Sequence, residues 1–224
     1  MDTKRTSGWR AIHLTGASFM AISRRILLVA GASALVLSGC AGRFKTWYNE
    51  PLSPSVTKGW HVVDVQVDVP QSLTVSEAKS LEPRADIVWR EDPPGDRRAQ
   101  VATIMENAVR LGSKGLRGPR PVILQLTMTR FHALTFEAET RLSNAGVHNI
   151  NFVIQVVDAS TKEVLVPPID IDAALPALSG NQMRAARARG ETQKSQITYH
   201  VAQTIAGWLG TGPDARRSFT RMGI

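Results

Sequence analysis

Cysteine is nearly absent from the sequence, and an apolar run long enough to span a bilayer is missing. Cys40 is the single cysteine among 224 residues, so the chain cannot build a disulfide framework of its own. Residues 26–37 form a run of about twelve apolar or small residues, fewer than the roughly 20 that a membrane-spanning helix needs. These absences exclude a disulfide-stapled domain and argue against a spanning helix in this run.

Catalytic signatures are also missing. The sequence has no His-Glu-x-x-His, no Gly-x-Ser-x-Gly, no phosphate loop and no dinucleotide fingerprint. Residues 55–58 and 76–79 fit Ser-x-x-Lys, and residues 179–181 fit Ser-x-Asn, as in penicillin-binding enzymes. The third element of those enzymes, Lys-Thr-Gly, is absent, and the chain is too short for their fold. The sequence therefore predicts a protein that is not an enzyme.

Metal ligands are scattered along the chain. The histidines after residue 40 are far apart, and three acidic residues that could suit calcium lack the spacing of a calcium loop. These residues are His61, His132, His148, His200, Asp158, Asp170 and Asp172. We expect no metal and no cofactor, with convergence of three histidines in space as the alternative.

The positive charge is concentrated at the N-terminus. The formal net charge is +8, but five Lys/Arg and one acid precede Cys40, so about +4 remains from Cys40 onward. Aromatic residues are not interleaved with the basic clusters, as base-stacking surfaces require. We expect no nucleic-acid partner.

The N-terminal residues have the layout of a secretion signal. Arg24 and Arg25 precede the apolar run 26–37, and small residues follow it just before Cys40. The sequence predicts that residues 1–39 are a signal peptide. It leaves open whether translation starts at Met1 or Met20, which N-terminal proteomics of the precursor would distinguish.

The segment Leu37-Ser38-Gly39-Cys40 resembles the lipobox of bacterial lipoproteins. The resemblance implies cleavage after Gly39, a diacylglyceryl thioether on Cys40 and N-acylation of the new terminus. Two or more acyl chains hold a protein stably on a membrane. Ala41, rather than Asp, resembles the pattern exported to the inner, periplasmic leaflet of the outer membrane. The periplasmic face of the inner membrane is the alternative.

Residues 40–59 read as a lipidated tether, because they are rich in proline, glycine and polar residues and show no period. Phe44, Trp47 and Tyr48 either rest at the lipid interface or pack on the domain. Residues 211–224 are polar and are predicted to be a flexible tail. Residues 60–210 are predicted to form the folded domain.

The folded domain alternates between strand and helix periods. Apolar residues alternate in strands near 61–69, 121–129, 149–158 and 163–167, and helical stripes follow Asp96 and precede Gly210. The segment 176–190 reads as irregular. The predicted fold class is α+β: a two-layer sandwich (β-α-β-β-β-α) in which a mainly antiparallel four-stranded sheet carries two helices on one face.

Two basic clusters are candidate contacts for anionic lipid, because guanidinium groups grip phosphates bidentately. Solvated charged loops are the alternative. The clusters are Lys114, Arg117 and Arg120, and Arg184, Arg187 and Arg189.

The order of elements after a lipidated cysteine resembles small envelope lipoproteins of proteobacteria. These include the lipopolysaccharide-assembly lipoprotein, the auxiliary lipoproteins of lipid-handling ABC transporters and uncharacterised alphaproteobacterial lipoproteins. The likeness implies a non-enzymatic, periplasm-facing binding or accessory component, partnered by an envelope protein or an anionic lipid. A cell-wall-directed hydrolase and a structural spacer are the alternatives, and the sequence leaves the oligomeric state open.

Overall fold

A computed structural model describes residues 41–222 of the chain, which form one compact unit. The predicted signal peptide and Cys40 lie outside the described residues. The strands are β1 (Ala41–Trp47), β2 (Trp60–Asp68), β3 (Ile87–Val88), β4 (Arg120–His132), β5 (Val147–Asp158), β6 (Val164–Ala173), β7 (Leu175–Pro176) and β8 (Arg217–Met222). The helices are α1 (Pro54–Thr57), α2 (Arg97–Gly112), α3 (Phe136–Arg141), α4 (Asn181–Ala188) and α5 (Gln193–Trp208).

One mixed sheet of eight strands organises this part of the chain. Its order is β2-β4-β5-β6-β1-β8, with β3 paired to the end of β4 and β7 to the start of β5. The predicted mixture of helices and strands is confirmed, but the predicted four-stranded sheet with two helices is wrong in both numbers, because the described residues form eight strands and five helices. Alternation within a strand shows which face is apolar, but it carries no information about neighbours.

The β2–β4 pair is parallel, which corrects the predicted mainly antiparallel arrangement at this edge. The chain leaves β2, crosses through α2 and returns to the end of the sheet where β2 began, so Trp60 lies beside Arg120. A parallel pair requires such a long crossover, usually through a helix. β4 then pairs antiparallel with β5, and β5 with β6.

Helices α2 and α5 carry the apolar stripes that the sequence predicts. Asp96 is the N-cap of α2, where its side chain accepts hydrogen bonds from the backbone N–H groups of Arg98 and Ala99. The two helices approach closely, because a Cβ on Gly112 would lie 2.4 Å from the carbonyl oxygen of Ala202. The apolar residues of both helices pack with the apolar face of the sheet in one buried core. This core includes Val101, Ile104, Met105, Ile197, Val201, Ile205, Leu124, Met128, Ile150 and Phe152.

The two segments predicted to be a tether and a flexible tail pair with each other. β1 and β8 are antiparallel, with Ala41 opposite Met222 and Thr46 opposite Arg217. β1 joins the main sheet through Thr46 and Trp47, which lie opposite Ala173 and Asp172 of β6. The predictions of a structureless 41–59 and a mobile 211–224 are therefore wrong for these strands, because each supplies the pairing partner that the other lacks alone.

The structure corrects one further prediction and decides between two alternatives that the sequence left open for Tyr48. Residues 181–188, predicted to be irregular, form helix α4, which buries Met183 and Ala186. Tyr48 is fully buried, and its hydroxyl donates to Asp214 Oδ1 at 2.8 Å and accepts from the backbone N–H of Ala215 at 3.0 Å. Tyr48 thus packs on the domain, and it holds the chain that leads into β8.

The face of the sheet opposite α2 and α5 is polar. Gln66 Oε1 accepts from Gln125 Nε2 at 2.8 Å, and Gln125 Oε1 accepts from Gln155 Nε2 at 2.7 Å. This row of amides crosses β2, β4 and β5 and satisfies its polar groups side by side. No helix within residues 41–222 is long and apolar enough to cross a bilayer.

Candidate functional site

A groove of about 660 Å³ opens where β4 ends, and we call it the β4-end groove. Arg130 and His132 of β4 and Asn149 of β5 contribute from the sheet, with His132 paired to Asn149. The loop 82–86 and the start of β1 supply the other sides. The lining residues are Gly42, Phe44, Thr74, Glu82, Pro83, Arg84, Ala85, Asp86, Arg130, His132, Val147 and Asn149. The volume is in the range of small-ligand sites.

Arg130 fixes the protonation state of His132. Arg130 Nη2 donates to His132 Nδ1 at 2.8 Å, and a guanidinium has no acceptor, so the ring carries its proton on Nε2. Burial, and then the charge of Arg130, lowers the pKa of His132 to about 4. The ring is therefore neutral near pH 7. It adds an N–H donor to the lining of the groove.

Arg130 also has an unused donor. Its Nε is buried and has no hydrogen-bond partner among residues 41–222, a state that costs about 1–3 kcal/mol. Arg84 adds an exposed guanidinium to the lining, and Asn149 adds an amide. The positive charges of Arg130 and Arg84 favour an anionic group in the groove.

The carboxylates of the groove lie on its loop side. Asp86 Oδ2 accepts from Thr74 Oγ1 at 2.7 Å and from the Thr74 backbone N–H at 2.8 Å. These hydrogen bonds from the Thr74 side chain and backbone hold the pKa of Asp86 below its usual value, with a smaller contribution from the charge of Arg130. Asp86 thus secures the loop, while Glu82 is exposed. The arrangement suits binding of a polar ligand that carries an anionic group.

Two more histidines are buried near this end of the sheet. His148 is fully buried, and burial, followed by the neighbouring His200 and His132, lowers its pKa to about 3. His200 Nε2 lies 3.0 Å from Thr46 Oγ1, and burial and then Arg217 lower its pKa to about 4. Within the described part of the chain, no three His, Cys, Asp or Glu side chains are placed to share a metal ion.

His61 is separate from the other histidines. Its Nδ1 donates to the carbonyl of Gly118 at 2.7 Å, at the start of β2. The sequence prediction treated all four histidines alike as isolated residues. The structure instead buries His132, His148 and His200 and leaves His61 to tie two segments together.

The predicted cluster of Lys114, Arg117 and Arg120 lies at the end of the sheet opposite the groove. Lys114 and Arg117 are exposed in the loop between α2 and β4. Arg120 begins β4, and its Nε donates to Asp158 Oδ2 at 2.6 Å. Asp158 is buried and also accepts from two backbone N–H groups of its turn, so Arg120 is engaged within the protein.

The predicted cluster of Arg184, Arg187 and Arg189 lies on and just after α4. Arg187 makes a bidentate ion pair with Glu139, with N–O distances of 2.9 and 2.8 Å, and also reaches Glu91 at 2.9 Å. Arg189 pairs with Glu191, and Arg184 donates to Asn181. The structure therefore does not bring the two predicted clusters together, and it pairs Arg120, Arg187 and Arg189 with carboxylates.

Glu91, one of the two carboxylate partners of Arg187, is itself anchored at the start of α5. Its carboxylate accepts from the backbone N–H groups of Gln193 and Lys194 at 3.0 and 2.6 Å. These are orphan donors at the start of α5, where a negative charge is favoured. Glu139 accepts from the side chain of Gln193, so α3, α4 and α5 meet at one buried cluster whose role is structural.

The Ser-x-x-Lys matches do not form catalytic pairs. Ser76 lies in a loop rather than on a helix, and its Oγ accepts from the backbone N–H of Ala78. Ser55 bonds Ser53 at the surface. Ser179 is buried and donates to the carbonyl of Ala145 at 2.9 Å. Each hydroxyl is therefore engaged locally.

β1 and β8 form a basic and aromatic ribbon that the sequence pattern did not predict. Arg43 and Lys45 alternate with Phe44, and Arg217 and Arg221 flank Phe219. Phe44 and Phe219 stack with their ring centroids 5.8 Å apart. The alternation of apolar and charged residues was the available signal, but each run is short.

The architecture and site define a mixed α/β domain with helices on one sheet face and a polar groove at one end. The chain belongs to a family of unknown function, DUF6778, whose model matches residues 60–224. No curated protein matches the chain.

Solved structures give similarities at low identity. One is a candidate lipoprotein from Caulobacter crescentus CB15, 13% identical, with a TM-score of 0.34 over 65% of this chain and 90% of that one. Another is the PelC dodecamer from Paraburkholderia phytofirmans, 12% identical, with a TM-score of 0.31 over 74% and 96%. A third is an uncharacterized protein, 16% identical, with a TM-score of 0.31 over 66% and 93%.

Proposed function

We propose that the protein is a periplasm-facing lipoprotein that serves as a non-enzymatic binding component of an envelope assembly or transport system. Cys40 carries the acyl chains, and Ala41 directs the protein to the inner leaflet of the outer membrane. The observation that carries this proposal is the position of the single cysteine. It ends a segment that resembles a lipobox, and the residue after it begins strand β1.

The β4-end groove supports a binding role. Arg84 and Arg130 line the groove, and the neutral His132 beside Arg130 adds an N–H donor. Such a site binds an anionic group on a partner molecule, because charge-assisted hydrogen bonds are about twice as strong as neutral ones. The local engagement of Ser55, Ser76 and Ser179 supports a role without catalysis.

Lipidation is tested by replacing Cys40. We expect the wild-type chain to incorporate an alkyne-tagged fatty acid in cells, to partition into the detergent phase and to fractionate with the outer membrane. Cys40→Ala removes the acceptor sulfur, so the label and the detergent partitioning should be lost. A wild-type protein that keeps its unprocessed mass, or stays in the aqueous phase, would contradict the proposal.

Partner binding is tested by crosslinking from the groove. With a photo-crosslinker at the exposed Glu82, which keeps both arginines of the groove, we expect adducts in intact cells that drop at least tenfold in Arg130→Gln, because a charged hydrogen bond contributes about 1.5–3 kcal/mol. Arg117→Gln removes the same charge at the opposite end of the sheet and should leave the adducts unchanged. Equal adduct yields in both variants, or recovery of the protein alone, would count against the groove.

A further inference from the structure

The ribbon of β1 and β8 has one face turned to solvent. Side chains of paired residues in antiparallel strands share a face, so Arg43 lies beside Thr220 and Lys45 beside Ser218. We call the solvent side of this ribbon the ribbon face. It consists of Ala41, Arg43, Lys45, Trp47, Ser218, Thr220 and Met222, all of which are exposed.

The ribbon face is basic, with large apolar groups among the cations. Neither strand contains an acidic residue. Lys45 Nζ lies 4.4 Å from the centroid of the Trp47 ring and 3.2 Å from Asp172 on the neighbouring strand. Arg43 donates to Ser218 at 3.3 Å and has no carboxylate partner among the described residues. Trp47 is 39% exposed and Met222 is 57% exposed.

The ribbon face begins at the proposed lipid anchor. Cys40 is bonded to Ala41, and Ala41 lies opposite Met222. At roughly 3.3 Å per residue along a strand, Arg43 is about 10 Å and Trp47 about 23 Å from Cys40. The cations therefore start within about one Debye length of the bilayer to which the acyl chains would be attached.

We propose that the ribbon face lies flat on the bilayer and binds anionic phospholipid headgroups through Arg43 and Lys45, with Trp47 and Met222 at the interface. This inference extends the proposed lipid anchoring. Basic residues at a surface are attracted to anionic lipid, and tryptophan favours the headgroup region because its ring is amphipathic. We choose a lipid surface as the binding partner because the ribbon face begins next to Cys40, the residue proposed to be acylated.

The same geometry separates this face from the basic loop with Lys114 and Arg117. Their loop precedes β4, whereas β1 begins at the other end of that strand, beside the β4-end groove. Thirteen residues of β4 span about 40 Å. Lys114 and Arg117 are therefore well separated from the ribbon face, and they serve as a matched control for charge that lies outside it.

The test uses the mature chain, residues 40–224, with Cys40→Ser, so that binding does not depend on acylation. We expect it to bind vesicles of phosphatidylglycerol and phosphatidylcholine, and to bind less as salt rises. Arg43→Gln/Lys45→Gln should weaken binding roughly thirtyfold, because two basic residues near an anionic surface together contribute about 2 kcal/mol. Lys114→Gln/Arg117→Gln has the same net charge and should bind like the parent.

Trp47 reports the flat orientation. The other tryptophans of the described residues, Trp60, Trp89 and Trp208, are at most 4% exposed, so quenching by acrylamide senses chiefly Trp47. We expect anionic vesicles to shield Trp47 and shift its emission to the blue. Trp47→Phe should remove this response while leaving the fold unchanged by circular dichroism.

Three results would overturn the proposal: no binding to anionic vesicles, equal loss of binding in both charge variants, or bound protein in which Trp47 stays open to quencher. Arg43→Lys with Lys45→Arg, which keeps both charges, should bind like the parent and guards against a folding defect. If the vesicle tests fail while Cys40 is labelled normally, the ribbon proposal is wrong but the lipid anchor stands. If Cys40 is not labelled while vesicle binding is intact, the lipid anchor is wrong but the ribbon proposal stands.

Discussion

The arginine–histidine pairs show how single residues are tuned at the groove end of the sheet. Arg130 donates to His132, and Arg217 Nη2 lies 3.5 Å from His200 Nδ1. Thr46 donates its one hydroxyl proton to the carbonyl of Ala174, so it accepts from His200 Nε2. Both rings are thereby held neutral. His148 is neutral through burial, with no hydrogen-bond partner for either ring nitrogen among residues 41–222.

These histidines predict acid sensitivity. Unfolded histidines bind protons near pH 6.5, whereas His132, His148 and His200 resist protonation until about pH 4, 3 and 4. The unfolded state therefore binds more protons, and stability present above pH 6.5 is lost as pH falls toward the folded pKa values. We expect the unfolding free energy to fall by about 1 kcal/mol or more per pH unit between pH 6.5 and 5, measured by urea titration.

His148→Leu isolates one of the three groups. The variant should show a shallower pH dependence and equal or higher stability at pH 7, because it removes two buried nitrogens without partners. An unchanged slope in His148→Leu would show that this ring is protonated in the folded protein at pH 5.

The burial of these residues had a signal in the sequence. His148 continues the alternation of Ile150, Phe152 and Ile154 on the buried face of β5, and His200 lies one residue from Val201 in the stripe of α5. Periodicity could therefore have predicted that both are buried. Their mutual proximity could not be predicted, because it depends on how α5 crosses the sheet.

At the scale of elements, the sequence pattern gave the weakest prediction for β1 and β8, the two strands at the ends of the described residues. β8 has six residues and β1 seven, and neither has a local partner. By contrast, α2, α5, β2, β4 and β5 have long apolar periods and were predicted close to their observed positions. A long period specifies an element, whereas strand partners and orientation depend on contacts distant in sequence.

Deletion of residues 217–224 tests whether β8 is part of the fold. The deletion removes the pairing with β1, the stacking of Phe219 on Phe44 and the hydrogen bond from Arg221 to the Ala177 carbonyl. We expect the unfolding free energy to fall by about 2 kcal/mol. Deletion of residues 223–224 alone is the control. An unchanged urea midpoint in the longer deletion would support the predicted mobile tail instead.

At the scale of the whole molecule, the sheet has two chemically different ends. One end presents Lys114 and Arg117 on an open loop, and the other combines the β4-end groove with the start of β1. The sequence identified the basic residues but could not assign them to ends, because the parallel β2–β4 pair decides which loops are neighbours. The groove was missed for the same reason, since its lining comes from five separate segments.

The direct continuation of Cys40 into a paired strand sets how an acylated form of this protein would search for partners. A domain on a long flexible linker samples a wide range of orientations relative to the membrane. A domain whose strand starts one residue after the acylated cysteine samples a narrower range. Encounters with a membrane-bound partner would then occur in two dimensions, with the groove held near one distance from the bilayer. Partner recognition would depend on surface density, and lengthening the junction by a few glycines would slow it without touching a single contact residue.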